Sequence, residues 1–191
     1  VPGDCAPALD PSSTFTGNGR DEVYLLGATM DRDTTWHALD VPYYADHSFS
    51  VEGPLGPTLT IEDGAAFRME GGLTLTIGGG DAGSLVVDGH TAGVTMTSAA
   101  STPARGDWSG ISFKENDPGS TVLGLTLEYG GSGASGCLYT AGTSPSLDGV
   151  VVRECLDNGL YVNTASFPEI VNSTFSDNER VGIFVSGAGG L

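Results

Sequence analysis

The chain has 191 residues, including 30 glycines and 10 prolines, and 39% of its residues are hydrophobic, which predicts one turn-rich domain with a sizeable core. Its 24 acidic and 7 basic residues give a net charge of −17, so the surface should repel nucleic acid and disfavour anionic membranes. The sequence lacks a run of about 20 apolar residues, so no transmembrane helix is predicted.

The N-terminal part of the sequence is irregular. Residues 1–33 are interpreted as an extended lead-in that contains one short strand near residues 21–26. Residues 34–191 are interpreted as the main domain, and residues 27–57, which span its start, as a loose first coil or cap. A cap is expected there because the end of a solenoid exposes unpaired backbone groups.

From residue 58 onward, apolar and polar residues alternate in short segments bounded by glycine and aspartate, which is typical of strands. Strands are predicted at residues 58–61, 66–69, 73–77, 84–87 and 94–97. The stretch Thr121–Glu128 is predicted to be a further strand, with Leu123, Leu125 and Leu127 on one face.

A short repeat organises the second half of the chain. A glycine followed by an apolar, a variable and an apolar residue recurs at residues 110–113, 136–139, 159–162 and 182–185. The last three copies are 23 residues apart, and the same offset places Pro145 on Pro168. A repeat of this length cannot bury a core alone and must stack on its neighbours. The predicted fold class is therefore all-β, a single parallel β-helix of about six or seven coils spaced about 4.8 Å apart.

Three motifs resemble those of a known family. They are Trp36 with Pro42-Tyr43, Leu59-Thr60-Ile61-Glu62-Asp63-Gly64 followed by Phe67, and Gly106-Asp107-Trp108-Ser109-Gly110-Ile111-Ser112-Phe113. Over roughly residues 34–187 the chain resembles the bacterial secreted right-handed parallel β-helix proteins, the pectate-lyase-like superfamily in its broad sense. The resemblance implies a right-handed coil, a secreted or cell-surface location, and carbohydrate as a class of ligand.

The resemblance also bears on the C-terminal end, because family members usually continue beyond the point where this chain stops. The domain is therefore expected to be truncated there or capped by a partner. End-to-end association into homo-oligomers is predicted as well, since a bare solenoid end exposes unpaired backbone groups.

Three cysteines, Cys5, Cys137 and Cys155, leave two arrangements open: one disulfide with one free thiol, or three thiols. Cys137 is interpreted as a small buried hydrophobic residue, in the inward slot that Leu160 and Ile183 fill in later coils. The sequence contains no C-x-x-C motif or His–Cys cluster, so it predicts no zinc site.

The resemblance supplies one catalytic hypothesis. Lyases of the superfamily hold calcium with acidic residues and use Arg or Lys as the base, and the candidates here are Arg153, Glu154, Asp157 and Asp177. Glu154 and Asp177 should stack on adjacent coils about 4.8 Å apart, where paired carboxylates could also act as acid and base. The alternative is a set of solvated turns, which aspartate favours. The family's signature around the catalytic arginine is absent from this sequence.

No cofactor is predicted, and no metal ligands are assigned. His37, His47 and His90 do not have metal-binding spacing, and they are interpreted as structural or solvent-exposed residues. Because the chain is strongly acidic, calcium bound incidentally at surface carboxylates is left open.

Three predicted strands carry two threonines in alternate positions, so that both hydroxyls point outward. The pairs are Thr58 and Thr60, Thr74 and Thr76, and Thr95 and Thr97. Stacked in one flat array, they would suit an ice-binding solenoid, which is a minor alternative. The ordinary β-propensity of threonine also explains them.

An apolar stripe is predicted on one outward face. If Leu160 and Val162 point inward, then Leu138, Tyr161 and Phe184 point outward on successive coils. Such a stripe is expected to be covered by sugar rings, by a partner protein or by a loop of the same chain. A register error of one residue would bury all three side chains.

Two functional hypotheses follow. The leading one is a non-catalytic extracellular or cell-surface module with a structural, adhesive or glycan-binding role, in which Leu138, Tyr161 and Phe184 contact the polysaccharide or partner protein. The alternative is a calcium-dependent polysaccharide lyase or glycoside hydrolase that uses the group around Arg153. Substitution of Tyr161 should abolish function under the first hypothesis, and substitution of Arg153 under the second.

Overall fold

The computed structural model describes residues 9–133 and 135–187. These residues contain strands and turns but no helix, and they form a single parallel β-solenoid of about six turns. The predicted all-β fold class is therefore confirmed. Since the described residues contain no helix, none of them forms a long apolar helix that could cross a membrane.

The strands are short and are named in chain order. Those before residue 100 are β1 (Val23–Leu25), β2 (Thr29–Met30), β3 (Thr34–Trp36), β4 (Tyr43–Ala45), β5 (Phe49–Val51), β6 (Thr58–Glu62), β7 (Ala66–Met69), β8 (Thr74–Ile77), β9 (Ser84–Asp88) and β10 (Val94–Ser98). Those after it are β11 (Gly110–Phe113), β12 (Thr121–Leu123), β13 (Leu125–Glu128), β14 (Gly136–Thr140), β15 (Ser146–Asp148), β16 (Val151–Arg153), β17 (Asn158–Val162), β18 (Glu169–Val171), β19 (Thr174–Ser176) and β20 (Ile183–Val185). The predicted strands between residues 58 and 97 all lie within one residue of β6 to β10.

Every third strand joins the same sheet, and neighbouring strands pair in parallel. Sheet A stacks β1, β4, β7, β10, β13, β16 and β19, and sheet B stacks β2, β5, β8, β11, β14, β17 and β20. Sheet C stacks β3, β6, β9, β12, β15 and β18. One turn of the solenoid thus visits the three sheets in the order A, B, C. Inward side chains of all three sheets meet in one apolar core.

The corners between sheets C and A depend on residues in the left-handed backbone region. Gly124 and Gly149, both with φ of 62°, and Asn172, with φ of 49°, occupy corresponding corners of three successive turns. Glycine and asparagine adopt this conformation at the lowest cost, so the sequence is suited to a corner of one or two residues.

One predicted strand is broken by such a corner. Gly124 divides Thr121–Glu128 into β12, in sheet C, and β13, in sheet A. Leu125 and Leu127 are buried, but Leu123 lies on the outward side of its strand and is only half-buried. The prediction that the three leucines share one face is therefore wrong, because the corner resets the alternation.

Aromatic side chains fill the core of the first turns. The ring centroid of Trp36 lies 5.2 Å from that of Phe67 and 5.7 Å from that of Phe49, and the ring of Tyr43 stacks on Phe67 at 5.0 Å. The buried Tyr43 hydroxyl donates a hydrogen bond to the carbonyl of His37 at 2.9 Å. Large aromatic rings thus fill much of the core volume of these first turns.

A disulfide joins Cys137, in β14, to Cys155, in the turn before β17, with a Cα–Cα distance of 5.9 Å. Both residues are fully buried. The structure thus selects the arrangement with a disulfide, and the interpretation of Cys137 as a plain buried hydrophobic residue is wrong. The inward slot of β14 that pairs with Leu160 belongs to Leu138. Cys5 lies outside the described residues.

In the last described turn the inward positions are open to solvent. Ile183 and Val185 continue the inward rows of sheet B, yet they are 41% and 62% exposed. The capping partner and the end-to-end association predicted for this end stay predictions.

Candidate functional site

Sheet B presents an outward row that changes character along the solenoid. Small hydroxyl side chains occupy its earlier positions and aromatic rings its later ones. In order, the row is Thr29, Ser50, Thr76, Ser112, Tyr139, Tyr161 and Phe184. We call Tyr139, Tyr161 and Phe184 the aromatic row.

The rings of the aromatic row stack on one another. The ring centroids of Tyr139 and Tyr161 are 5.6 Å apart with an interplanar angle of 17°, and those of Tyr161 and Phe184 are 5.1 Å apart with an angle of 26°. These separations exceed the ~3.5–4 Å at which carbon atoms make contact, so the stacked rings are displaced sideways, and Tyr161 has a neighbouring ring on each side. The two tyrosines are half-buried and Phe184 is 42% exposed.

Polar groups border the aromatic row. The ammonium of Lys114, the only lysine in the sequence, lies 4.4 Å from the ring centroid of Tyr139, within the range of a cation–π interaction. The side-chain amide of Asn163 donates a hydrogen bond to the Tyr139 hydroxyl at 2.6 Å. The row therefore offers partly exposed aromatic side chains beside nitrogen groups of Asn163 and Lys114.

The structure corrects one member of the predicted stripe. Tyr161 and Phe184 are outward neighbours as predicted, but Leu138 is fully buried, and the outward residue of β14 is Tyr139. The pairing of Leu138 with Leu160 corresponds to an offset of 22 residues, one less than the assumed period. The signal was present in the sequence, because Leu138-Tyr139 matches Leu160-Tyr161 directly at that shorter offset.

Three of the four predicted catalytic residues, Arg153, Glu154 and Asp157, are in separate ion pairs. Arg153 Nε donates to Glu128 at 2.6 Å. Glu154 contacts the guanidinium of Arg105 at 2.8 Å. Glu128 and Arg105 lie on different turns of the solenoid, so the side chains of Arg153 and Glu154 do not point to a common site.

Asp157 and Asp177 do not join Arg153 and Glu154 in one site either. Asp157 accepts a hydrogen bond from Asn158 at 2.7 Å and lies 3.5 Å from Arg180. Glu154 and Asp177 do occupy equivalent corners of adjacent turns, as predicted, with left-handed φ values of 55° and 52°. Their shared feature is thus the corner backbone.

The electrostatics of Arg153 oppose its role as a base. The hydrogen bond from Arg153 to Glu128, aided by the negative charge of that carboxylate, raises the pKa of the guanidinium above its ordinary value. A catalytic base must release its proton near the working pH, which requires a lowered pKa. The pairing with Glu128 therefore stabilises the charged form of Arg153.

The described residues contain no group of three or more His, Cys, Asp and Glu side chains that could hold a metal ion. Each histidine pairs with one carboxylate: His37 with Glu62 at 2.8 Å, His47 with Asp46 at 2.7 Å and His90 with Asp88 at 2.9 Å. The Asp46 hydrogen bond and charge raise the pKa of His47 above its ordinary value.

The threonine pairs lie on three different sheets. Thr58 and Thr60 belong to β6 in sheet C, Thr74 and Thr76 to β8 in sheet B, and Thr95 and Thr97 to β10 in sheet A. They consequently do not form one flat array, the arrangement on which the ice-binding alternative depended.

Comparison of this chain with protein-family models, with curated proteins and with solved structures finds no match. The aromatic row and its polar border are the features of sheet B on which a functional proposal can be built. The ion-paired residues around Arg153 contribute surface electrostatics and corner geometry.

Proposed function

We propose that this chain is a non-catalytic module that binds polysaccharide through the aromatic row. The observation that carries this proposal is the stack of Tyr139, Tyr161 and Phe184 along one outward line of a strongly acidic protein. Partly exposed aromatic side chains in a continuous line usually mark a contact surface.

The geometry of the aromatic row suits a sugar polymer. Sugar rings carry apolar C–H faces, which pack on aromatic rings, and hydroxyl groups, which need polar partners. The row supplies the rings, while Asn163 and Lys114 supply nitrogen atoms at its border. Because each turn of the solenoid repeats the ring at a similar spacing, a ligand with a regular repeat can contact several rings at once.

We further propose that the protein works outside the reducing cytosol, in a secreted or cell-surface location. The buried Cys137–Cys155 disulfide supports this, since disulfides persist mainly in oxidising compartments. The resemblance of the sequence motifs to secreted pectate-lyase-like β-helix proteins supports the same location and a carbohydrate ligand.

The test is retention of the protein on insoluble cellulose, chitin and cross-linked pectin. Tyr161→Thr removes the middle ring and installs the residue that β8 uses at the equivalent position, Thr76. Retention on the best of the three probes should weaken at least tenfold, because loss of a central aromatic contact typically costs about 2 kcal/mol or more. Tyr24→Thr is the matched control, since it removes a tyrosine that is 47% exposed on sheet A.

Three outcomes would overturn the proposal. One is that no probe retains the wild-type protein. Another is that Tyr161→Thr and Tyr24→Thr weaken retention equally. The third is calcium-dependent release of reducing ends or unsaturated products from a probe, which would establish the lyase or hydrolase alternative and direct attention to Arg153.

A further inference from the structure

A cleft of about 260 Å³ opens at the end of sheet A, beside the corner that leads to sheet B. Its walls are formed by the ends of β4, β7 and β10 and by the loop between β10 and β11. The lining residues are Tyr44, Met69, Glu70, Gly71, Ser98, Ala99, Ala100 and Asp107. Sheet B and its aromatic row contribute no residue to this lining.

Small residues create the cleft. The backbone of Glu70 hydrogen-bonds to Ala45, and that of Ala99 to Met69, so Asp46, Glu70 and Ala99 fall at the same corner of successive turns. The earlier turns carry acidic side chains at this corner, whereas the third turn carries Ala99 followed by Ala100. The two methyl groups leave a notch between the Glu70 side chain and the loop that ends at Asp107.

Two carboxylates on the cleft walls each have an oxygen that the surrounding structure does not use. Glu70 Oε1 accepts a hydrogen bond from the Tyr44 hydroxyl at 3.0 Å, which leaves Oε2. Asp107 Oδ2 accepts hydrogen bonds from Ser98 and from the backbone of Ala104, which leaves Oδ1. These contacts hold both carboxylates in place while one oxygen of each stays available.

The nearby arginines are engaged elsewhere. Arg105, in the loop that borders the cleft, pairs with Glu154 at 2.8 Å. Arg20 lies over the Tyr44 ring and pairs with Glu22 at 2.6 Å. Arg68, on the same outward side of β7 as Glu70, does not line the cleft. His47, which also interacts electrostatically with Glu70, is paired with Asp46 at 2.7 Å. Since Arg105, Arg20 and His47 each pair with a carboxylate outside the cleft, the cleft keeps a negative charge on a protein of net charge −17.

We infer that this cleft binds a lysine side chain presented by a basic protein segment. The methyl groups of Ala99 and Ala100 provide apolar contacts for the methylene stem above the buried Met69, and Glu70 and Asp107 provide acceptors for the ammonium group. The volume is below the roughly 300–1,000 Å³ of ordinary small-molecule sites, so the cleft suits one side chain rather than a larger ligand. The net negative charge of the chain would also steer a basic partner toward it.

The test uses the full chain and a peptide, Gly-Gly-Lys-Gly-Gly, acetylated at its N-terminus and amidated at its C-terminus. Backbone amide shifts are followed by NMR at about 0.15 M salt, where long-range charge attraction is screened. The peptide should shift the amides of Gly71, Ala99 and Ala100 in a saturable manner. The same peptide with an acetylated lysine side chain should leave these amides unshifted, because it lacks the charge.

Variants distinguish the cleft from general charge attraction. Glu70→Gln removes one acceptor charge, and Ala100→Leu fills the notch without changing charge. Each should raise the Kd at least tenfold, while Glu169→Gln, the same charge change on sheet C, should leave it unchanged. The inference fails if the acetylated peptide shifts the same amides, if Glu169→Gln weakens binding as much as Glu70→Gln, or if Ala100→Leu, with its other amide shifts intact, binds normally.

Discussion

Thr140 pairs with Val162 across neighbouring strands of sheet B, so its side chain lies in an inward row between apolar residues. Thr140 is fully buried, and its hydroxyl oxygen has no hydrogen-bond partner. A buried hydroxyl without a partner typically costs about 1–3 kcal/mol. Thr140→Val keeps the branched shape and removes the hydroxyl, so it should raise the free energy of unfolding by about 1–2 kcal/mol in urea denaturation.

Thr143→Val is the matched control for this prediction. The Thr143 hydroxyl is also buried, but it contacts the Asp117 carbonyl at 3.1 Å and the Asp117 carboxylate at 3.2 Å. Its removal should lower stability, because the two buried Asp117 oxygens then lose the one hydroxyl proton that they share. If the two valine variants change the free energy of unfolding in the same direction, the account of Thr140 is wrong.

The disulfide between Cys137 and Cys155 should contribute about 3 kcal/mol to stability. Its cysteines are 18 residues apart, and a closed loop of this length removes conformational entropy from the unfolded chain by about that amount. The double variant Cys137→Ala, Cys155→Ala should lose this contribution in urea denaturation. Thiol titration of the denatured wild-type chain should find one thiol before reduction and three after it, and three before reduction would contradict the disulfide.

The sequence was sufficient to predict the solenoid because alternation and period are local signals. β6 to β10 could be placed within a residue, since β6 to β9 each end within two residues of a glycine or aspartate and β10 ends at a run of small polar and alanine residues. The same signals miss a corner of a single residue. Gly124 sits inside an unbroken alternating run, and only its left-handed backbone shows that the chain turns there.

The candidate site was less predictable because it depends on register. A period of 23 residues applies from β17 to β20, but from β14 to β17 it is 22. Because of this difference of one residue, Tyr139 lies at the surface where Leu138 was predicted, and Leu138 is buried. The contacts of Arg153 and Glu154 could not be predicted from the sequence either, because their partners, Glu128 and Arg105, lie on other turns.

The corner position of Asp177 predicts a stabilising substitution. With φ of 52°, Asp177 adopts a left-handed conformation that glycine tolerates better. Asp177→Gly should raise the free energy of unfolding by about 0.5–1 kcal/mol, since the relief of strain exceeds the entropy that glycine adds to the unfolded chain. Ser176→Gly, one residue earlier and inside β19, should instead lower it. Equal effects of the two glycines would show that Asp177 is not under strain.

Asp117 predicts a specific pH dependence of stability. Its carboxyl group is buried, and this burial raises its pKa above the ordinary value, against the opposing effect of hydrogen bonds from Gly119, Ser120 and Thr143. A raised pKa in the folded state means that folding favours the protonated acid. The resulting contribution to stability is complete below the unfolded pKa of about 3.9 and is lost as the pH rises through the folded pKa.

Asp117→Asn mimics the protonated acid at every pH. The amide oxygen can keep the bonds from Gly119 and Ser120, and the amide nitrogen can donate to Thr143, whose hydroxyl also donates to the Asp117 carbonyl. The stability of the variant relative to wild type should therefore increase between pH 3 and pH 6, measured by urea denaturation at each pH. Asp148→Asn, on the half-buried outward side of β15, serves as the control. A difference that stays flat or falls across this range would show that burial of Asp117 does not control its ionisation.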